Sequence, residues 1–87
     1  MKRTILIAED DGDIVNLLSL YLKNSGYEVL TASDGLAAWG LFNREHVDLA
    51  LLDVMMPRMD GWELARKIRG ASNIPIIFLS ARDQDYD

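Results

Sequence analysis

One stretch of the sequence decides the fold, Leu49-Ala50-Leu51-Leu52-Asp53-Val54-Met55-Met56-Pro57. Its first part is apolar without polar alternation, which is typical of a strand covered on both faces in a parallel sheet. Asp53 then follows at the carboxyl end of that strand, where open α/β sheets bind their ligands. Pro57 cannot donate to a ladder, so the chain must turn there. Taken alone, Asp53 is either a turn former or a functional carboxylate.

Three further apolar segments and three amphipathic segments surround this stretch. Strands are predicted over residues 4–8, 27–32, 48–52 and 75–80, with helices between them. The first helix carries an apolar stripe that is expected to face a core, namely Ile14, Leu17, Leu18, Tyr21 and Leu22. Gly26 is expected to end that helix in a left-handed conformation. The order strand, helix, strand, helix, strand, helix, strand predicts a doubly wound parallel sheet with right-handed crossovers.

Composition excludes several classes of function. The 87 residues form one domain with 49% hydrophobic and 26% charged residues, and the net charge of -5 argues against direct binding to nucleic acid. There is no Cys and one His, so neither a disulfide framework nor a zinc site is expected. No stretch approaches the roughly 20 apolar residues of a membrane span, and the N-terminal apolar run is too short for a signal peptide. A cytoplasmic location is therefore predicted, without membrane contact.

An acidic cluster follows the first strand, in Glu9-Asp10-Asp11-Gly12-Asp13. If the first and third strands are neighbours, Glu9, Asp10 and Asp53 meet at one edge of the sheet. Two like charges about 4 Å apart repel by roughly 4 kcal/mol at an effective dielectric near 20, so three ionised carboxylates need compensation. A divalent cation provides it, and oxygen ligands favour Mg²⁺, with Mn²⁺ as a possible substitute. The simpler interpretation is that Glu9 and Asp10 only cap the first helix.

Ser80 lies at the end of the fourth predicted strand and would face the same edge. Its hydroxyl can bond an anionic oxygen. A carboxylate nucleophile, a metal and a hydroxyl donor are together the groups that hold a phosphoryl group. The sequence therefore indicates phosphoryl chemistry at Asp53.

The motifs at the strand ends resemble those of bacterial response-regulator receiver domains, in particular the class fused to a winged-helix DNA-binding domain. The matching pieces, in the family's order, are Ile5-Leu6-Ile7-Ala8-Glu9-Asp10, Ala32-Ser33-Asp34-Gly35, Leu51-Leu52-Asp53-Val54-Met55-Met56-Pro57, Met59-Asp60-Gly61 and Phe78-Leu79-Ser80-Ala81-Arg82. The resemblance implies a flavodoxin-like fold and a module of two-component signalling. Such a module is not an enzyme in the ordinary sense, although it assists its own phosphorylation and dephosphorylation.

The resemblance also implies a role for each candidate residue. Asp53 would be phosphorylated by a partner histidine kinase. Asp10, Asp53 and the backbone carbonyl of Met55 would hold Mg²⁺, with Glu9 acting through a water molecule. Ser80 would move toward the phosphoryl group and transmit the change.

The family pattern continues beyond the last residue of this sequence, Asp87. Receiver domains add a helix, a fifth strand ending in a phosphate-binding Lys, and a last helix that packs on the first. No Lys here matches that position, since Lys67 belongs to the third predicted helix. We therefore expect a truncated receiver of four strands and three helices, spanning residues 1–87. Its uncovered apolar face should favour a dimer or a domain-swapped assembly.

Three alternatives to a competent phosphoacceptor follow from the sequence. The first is a phosphorylation-impaired fragment whose behaviour is mainly self-association. The second is a hydrolase with an aspartyl nucleophile, which is disfavoured because Met55 stands where such enzymes carry a second Asp. The third is a flavin site, which is disfavoured because the acidic cluster at residues 9–13 would repel a phosphate.

Overall fold

The computed structural model describes residues 2–79 and contains seven regular elements in this part of the chain. They are β1 (Thr4–Ala8), α1 (Gly12–Asn24), β2 (Glu28–Ala32), α2 (Gly35–Arg44), β3 (Leu49–Leu52), α3 (Gly61–Ala71) and β4 (Ile76–Phe78). The predicted order is confirmed, and the strand predictions agree with the observed strands to within two residues at each end. The predicted Ser80 end of the fourth strand lies outside the described residues.

All four strands are parallel, in the spatial order β2-β1-β3-β4. The register sets Ile5 of β1 opposite Leu49 of β3, and Ala8 opposite Leu52. The expected neighbourhood of the first and third strands is therefore confirmed, and β2 lies at an edge as the polar Glu28 suggests. Because parallel strands share one carboxyl edge, the residues that follow β1 and β3 emerge side by side.

One face of the sheet packs against α2 and α3 and forms the core. Its fully buried members come from β1, α2, β3 and α3, and they include Leu6, Ala38, Ala50, Leu52, Leu64 and Ile68. Trp39 and Phe42 pack against this core from α2, with their rings stacked 5.7 Å apart between centroids. This face supplies the burial that holds α2 and α3 on the sheet.

The other face of the sheet is covered less well by the described residues. Leu49 and Leu51 are half-buried there, although the apolar run predicted a strand covered on both sides. Leu22 of α1 and Ile77 of β4 line a cavity of about 410 Å³ over this face. Ile77 remains 50% exposed. The sheet is thus asymmetric: one side holds a full core, while on the other Ile5 and Ile7 are buried and Leu49, Leu51 and Ile77 are only partly covered.

The predicted stripe of α1 does not meet a core within residues 2–79. Ile14, Leu17 and Tyr21 are exposed, while Leu18 and Leu22 are half-buried, and α1 contains no fully buried residue. The prediction of the helix is confirmed, and the exposed part of its stripe belongs to the uncovered apolar face that the sequence predicts. Periodicity identifies an apolar face, but it does not identify what covers that face.

Acidic side chains cap all three helices at their N-termini. Asp11 accepts from the Asp13 and Ile14 N–H groups, Asp34 accepts from Ala37 and Asp60 accepts from Glu63. Each cap satisfies backbone donors that the helix leaves open and places negative charge at the positive end of the helix dipole. At the other end of α1, Gly26 has φ 96°, so the predicted left-handed position is confirmed.

Asp48 fixes the opposite, amino-terminal edge of the sheet. Its carboxylate accepts the Thr4 N–H at 2.8 Å and lies 2.8 Å from Nε2 of His46. These two hydrogen bonds, the first being the larger cause, lower the pKa of Asp48 below its ordinary value. The bond to Thr4 spans 44 residues of sequence and secures the start of the β1–β3 pairing.

Candidate functional site

The carboxylates of Glu9, Asp10 and Asp53 converge at the carboxyl edge of β1 and β3. One potential ligand atom from each residue lies within 4.8 Å of those of the other two. Backbone hydrogen bonds extend the sheet into the site: the Asp53 N–H donates to the Ala8 carbonyl at 2.8 Å, and the Glu9 N–H donates to the Ala32 carbonyl at 3.0 Å. The sheet itself therefore positions the three predicted acidic residues together.

The three carboxylates differ in exposure. Glu9 and Asp53 are 4% and 6% exposed, whereas Asp10 is exposed to solvent. Within residues 2–79, no Lys or Arg forms an ion pair with any of them. Two buried carboxylates without a cationic partner are an unfavourable arrangement in the absence of a bound cation. An all-oxygen donor set open on one side to solvent is the set that Mg²⁺ prefers, so these residues fit the ion that the sequence predicted.

The pKa of Glu9 reflects the burial and the negative charge of the cluster. Burial is the main reason that its pKa is raised above the ordinary value of 4.5, and the neighbouring Asp53 charge raises it further. One backbone donor, the Asp11 N–H at 3.1 Å, acts in the opposite direction and lowers it. Glu9 therefore binds a proton more readily than a free glutamate does.

Replacing Glu9 by Gln is expected to stabilise the metal-free protein at pH 7 by something of order 1 kcal/mol, because it removes one of the repelling carboxylates. The sign follows from the raised pKa. Just above pH 4.5, a larger fraction of Glu9 is protonated in the folded state than in the unfolded state. The free energy of unfolding therefore falls as the pH rises through the folded pKa. Urea unfolding in EDTA at several pH values measures both effects. If the wild type and E9Q showed the same pH slope, Glu9 would not be the group responsible.

The loop that follows Asp53 is folded tightly against it. The Gly61 N–H donates to the Val54 carbonyl at 2.8 Å, and a Cβ at Gly61 would collide with the Asp53 carbonyl oxygen. Met55 lies in this loop with its side chain 66% exposed. From the sequence, Gly61 was identified only as part of the motif Met59-Asp60-Gly61. Its close approach to the candidate nucleophile depends on how α3 packs and has no local sequence signal.

A small open cavity of about 280 Å³ lies beside the carboxylates. Glu9 and Asp10 line one side, and Thr31 and Ser33, at the end of β2, line another. No role was predicted for Thr31 or Ser33, because nothing in the local sequence indicates what these side chains line. The cavity leaves room for solvent next to the acidic cluster.

Two other predicted residues stand apart from this cluster in different ways. Ser80 lies outside the described residues, so its role stays a prediction. Lys67 lies on α3, as expected, and its Nζ is 5.6 Å from the centroid of the Trp39 ring. It therefore belongs to the contact between α2 and α3 and not to the acidic edge.

Comparison with known proteins assigns the chain to a family. The sequence profile described as "Response regulator receiver domain" matches residues 5–87. Response regulator GtcR of Aneurinibacillus migulanus is 41% identical over 87 residues, which cover all of this chain and 36% of that protein. This chain belongs to the response regulator receiver domain family.

Solved structures agree with the fold of that family. The receiver domain of sensor histidine kinase PA1611 from Pseudomonas aeruginosa PAO1, solved with magnesium coordinated in its active site cleft, is 31% identical with a TM-score of 0.88, and the match covers 100% of this chain and 74% of that one. The BeF3-activated N-terminal receiver domain of Klebsiella pneumoniae RstA is 36% identical with a TM-score of 0.89, covering 95% and 71%. The fold is the flavodoxin-like receiver fold, and the chain spans about a third of the length of the curated relatives that it matches.

Among the described helices, none is both long enough and apolar enough to cross a membrane.

Proposed function

We propose that this chain is a Mg²⁺-dependent phosphoacceptor of two-component signalling, with Asp53 as the residue that is phosphorylated. The observation that carries the proposal is the convergence of Glu9, Asp10 and Asp53 at one edge of a receiver fold, with two of the three buried and none paired to a described Lys or Arg. A buried carboxylate beside two others is activated for reaction with an electrophile once its charge repulsion is compensated.

The chemical step is a phosphoryl transfer from a phosphohistidine of a histidine kinase. A carboxylate oxygen of Asp53 attacks phosphorus, and the phosphorus–nitrogen bond breaks with its electron pair leaving on the imidazole of the kinase. The product is an acyl phosphate on Asp53, which water later hydrolyses to carboxylate and phosphate. The transfer is dominated by positioning and charge compensation. The acidic edge would position the nucleophile, and the cation held there would compensate the charge.

Asp10, Asp53 and the Met55 backbone carbonyl would hold the metal, with Glu9 acting through a water molecule. The ion, Mg²⁺ or Mn²⁺ in its place, would neutralise charge on the phosphoryl oxygens. The burial of Asp53 excludes bulk water from one side of the nucleophile, and the exposed Asp10 leaves an entry path. The magnesium in the cleft of the PA1611 receiver domain supports this assignment.

The remaining parts of the proposal come from the sequence and the family. The Ser80 hydroxyl would bond the phosphoryl group and transmit its presence. The partner is a histidine kinase, and the location is cytoplasmic, with no direct contact to nucleic acid or membrane by this chain. Membership of the receiver family supports these assignments.

Incubation with acetyl phosphate tests the proposal without a kinase. Mass spectrometry is expected to detect one added phosphoryl group in the presence of Mg²⁺ and none in EDTA. Reduction of the acyl phosphate with borohydride before digestion then identifies the modified residue, which is expected to be Asp53. Metal-independent labelling, or labelling of another residue, would contradict the proposal.

Self-association is a second candidate behaviour, which the exposure of α1 favours. Ile14, Leu17, Leu20 and Tyr21 are 41%, 69%, 62% and 68% exposed and form an apolar surface on one helix. Contiguous apolar surface of this kind promotes association between copies of a chain. It would coexist with phosphorylation or, in a phosphorylation-impaired fragment, replace it as the main behaviour.

Sedimentation velocity at several concentrations tests this candidate. The wild type is expected to form a dimer or a domain-swapped assembly at micromolar concentration, and the double change Leu17→Gln and Tyr21→Gln is expected to shift it toward the monomer. Leu36→Gln is the matched control, because Leu36 is an exposed residue of α2 at 52%. A compact wild-type monomer throughout the concentration range would rule the candidate out.

A further inference from the structure

The loop between β3 and α3 contains a strained turn at Arg58. Among residues 2–79, Arg58 is the one residue other than glycine with a positive φ, at 71°. The Met59 N–H donates to the Pro57 carbonyl at 2.8 Å, which makes a γ-turn with Arg58 at its centre. A γ-turn with a positive central φ is the rare, strained kind, and a residue with a Cβ is less stable there than glycine. Such a conformation persists only where its surroundings hold it.

The chain on both sides of Arg58 is fixed in place. Before it, Pro57 has its φ restricted by the ring. After it, Met59 is 5% exposed and packs in the core. The Gly61 N–H closes the loop by donating to the Val54 carbonyl. The strained residue Arg58 therefore lies in a short loop that is fixed at both ends and begins directly after the candidate nucleophile.

The N-terminus of α2 holds the same turn from outside the loop. Asp34 Oδ2 lies 3.4 Å from Arg58 Nε, while its Oδ1 caps α2 by accepting the Ala37 N–H at 2.8 Å. The next residue, Gly35, is packed so closely on Met59 that a Cβ would collide with the Met59 carbonyl. One carboxylate therefore bonds both the helix end and the strained residue, and the adjacent glycine is in contact with the residue that follows the turn.

Within residues 2–79, the carbonyls of this loop differ in the backbone hydrogen bonds that they accept. The Val54 and Pro57 carbonyls each accept a hydrogen bond within the loop. In the described part of the chain, no backbone N–H donates to the Met55 carbonyl. That carbonyl is the one that the proposed function assigns to the metal.

We propose that Arg58 is a positioning residue for the metal site. Its γ-turn, held against Asp34 at the start of α2, fixes the loop that presents the Met55 carbonyl beside Asp53. The inference rests on the proposed function, because it assigns to Arg58 the orientation of a ligand of that same site. Arg58 does not touch the metal and acts through the loop backbone.

Titration of the whole chain with MgCl₂, followed by ¹⁵N–¹H NMR, measures the effect on affinity. Arg58→Gly keeps the positive φ accessible, so its dissociation constant for Mg²⁺ is expected to stay within about twofold of the wild type. Arg58→Val disfavours a positive φ, so its affinity is expected to fall about tenfold. Asp34→Asn retains a good N-cap and loses only the ion pair with Arg58, whose side chain is 66% exposed, so a change of no more than about twofold is expected.

The thermal midpoint in EDTA separates positioning from stability. A purely structural role would lower the midpoint of Arg58→Val while its Mg²⁺ dissociation constant remained equal to that of Arg58→Gly, and that result would overturn the inference. A larger loss of affinity in Asp34→Asn than in Arg58→Val would also overturn it, because the helix cap and not the turn would then orient the loop. If Arg58→Val does not fold, Arg58→Ala takes its place. Its affinity for Mg²⁺ is then expected to lie between that of Arg58→Gly and one tenth of the wild-type affinity.

The same titration distinguishes this inference from the proposed function. If the wild type shows no saturable Mg²⁺ binding, or if Asp53→Asn binds as the wild type does, the proposed function fails. If the wild type binds Mg²⁺ through Asp53 but the two Arg58 variants bind equally, only the role of Arg58 fails.

Discussion

Replacing Asp53 by Asn is expected to abolish phosphorylation by acetyl phosphate. The amide keeps the size and most of the packing of a side chain that is 6% exposed, but it removes the negative oxygen that attacks phosphorus. Removal of a covalent nucleophile costs orders of magnitude in rate, well beyond the tenfold loss that corresponds to about 1.4 kcal/mol in a barrier. The measurement is the fraction of phosphorylated protein by intact-mass spectrometry over a time course.

The matched control for this change is Asp48→Asn, which removes a carboxylate at the opposite edge of the sheet. Asp48 contacts Thr4 and His46 and none of the three clustered carboxylates. Its variant is expected to be phosphorylated as the wild type is. If Asp53→Asn were phosphorylated at the wild-type rate, Asp53 would not be the nucleophile.

Replacing Gly61 by Ala is expected to destabilise the fold by about 2–4 kcal/mol, the upper range for overpacking against atoms that cannot move. The added Cβ would collide with the Asp53 carbonyl and approach the Val54 Cα to 2.9 Å, and both are backbone atoms. A flexible side chain could yield, but the end of β3 cannot move without disturbing the sheet. Urea unfolding gives the change in the free energy of unfolding.

Gly70→Ala is the control for Gly61→Ala, because both positions lie in α3 and both changes add one methyl group. Nothing lies within 4 Å of a Cβ at Gly70, so the substitution should stabilise the helix by about 0.5–1 kcal/mol. The two variants are therefore expected to shift stability in opposite directions. A destabilised Gly70→Ala together with a neutral Gly61→Ala would contradict the packing described at the end of β3.

The parts of the fold that were predicted correctly are those with a strong local signal. β1 and β3 are short apolar runs that end in charged residues, so both their existence and their ends could be located. The left-handed Gly26 follows from a residue type with a specific backbone preference. In each case one residue or one short pattern carries the information.

The parts that were missed depend on contacts between distant elements. Arg58 has no intrinsic preference for a positive φ, and its partner Asp34 is remote in sequence. The bond from Thr4 to Asp48 likewise becomes visible only when β1 and β3 are paired.

The candidate site was predicted in part from local sequence and in part from contacts between distant elements. The residue types Glu9, Asp10 and Asp53 pointed to a metal and a nucleophile, but their meeting required the strand order, which rested on the resemblance to a family and not on spacing. The structure confirms the order and brings the three carboxylates together.

The pairing of β1 with β3 has a thermodynamic consequence for the chain. The carboxylates at residues 9 and 10 meet the one at residue 53 only after the intervening chain has folded back into the sheet. An unfolded chain therefore has no preformed site, and a cation that binds the folded form alone shifts the folding equilibrium by mass action. At a free concentration ten times its dissociation constant, the bound ion would add about 1.4 kcal/mol to the free energy of unfolding. Ion concentration would thus act on the folded population as well as on the reactivity of the nucleophile.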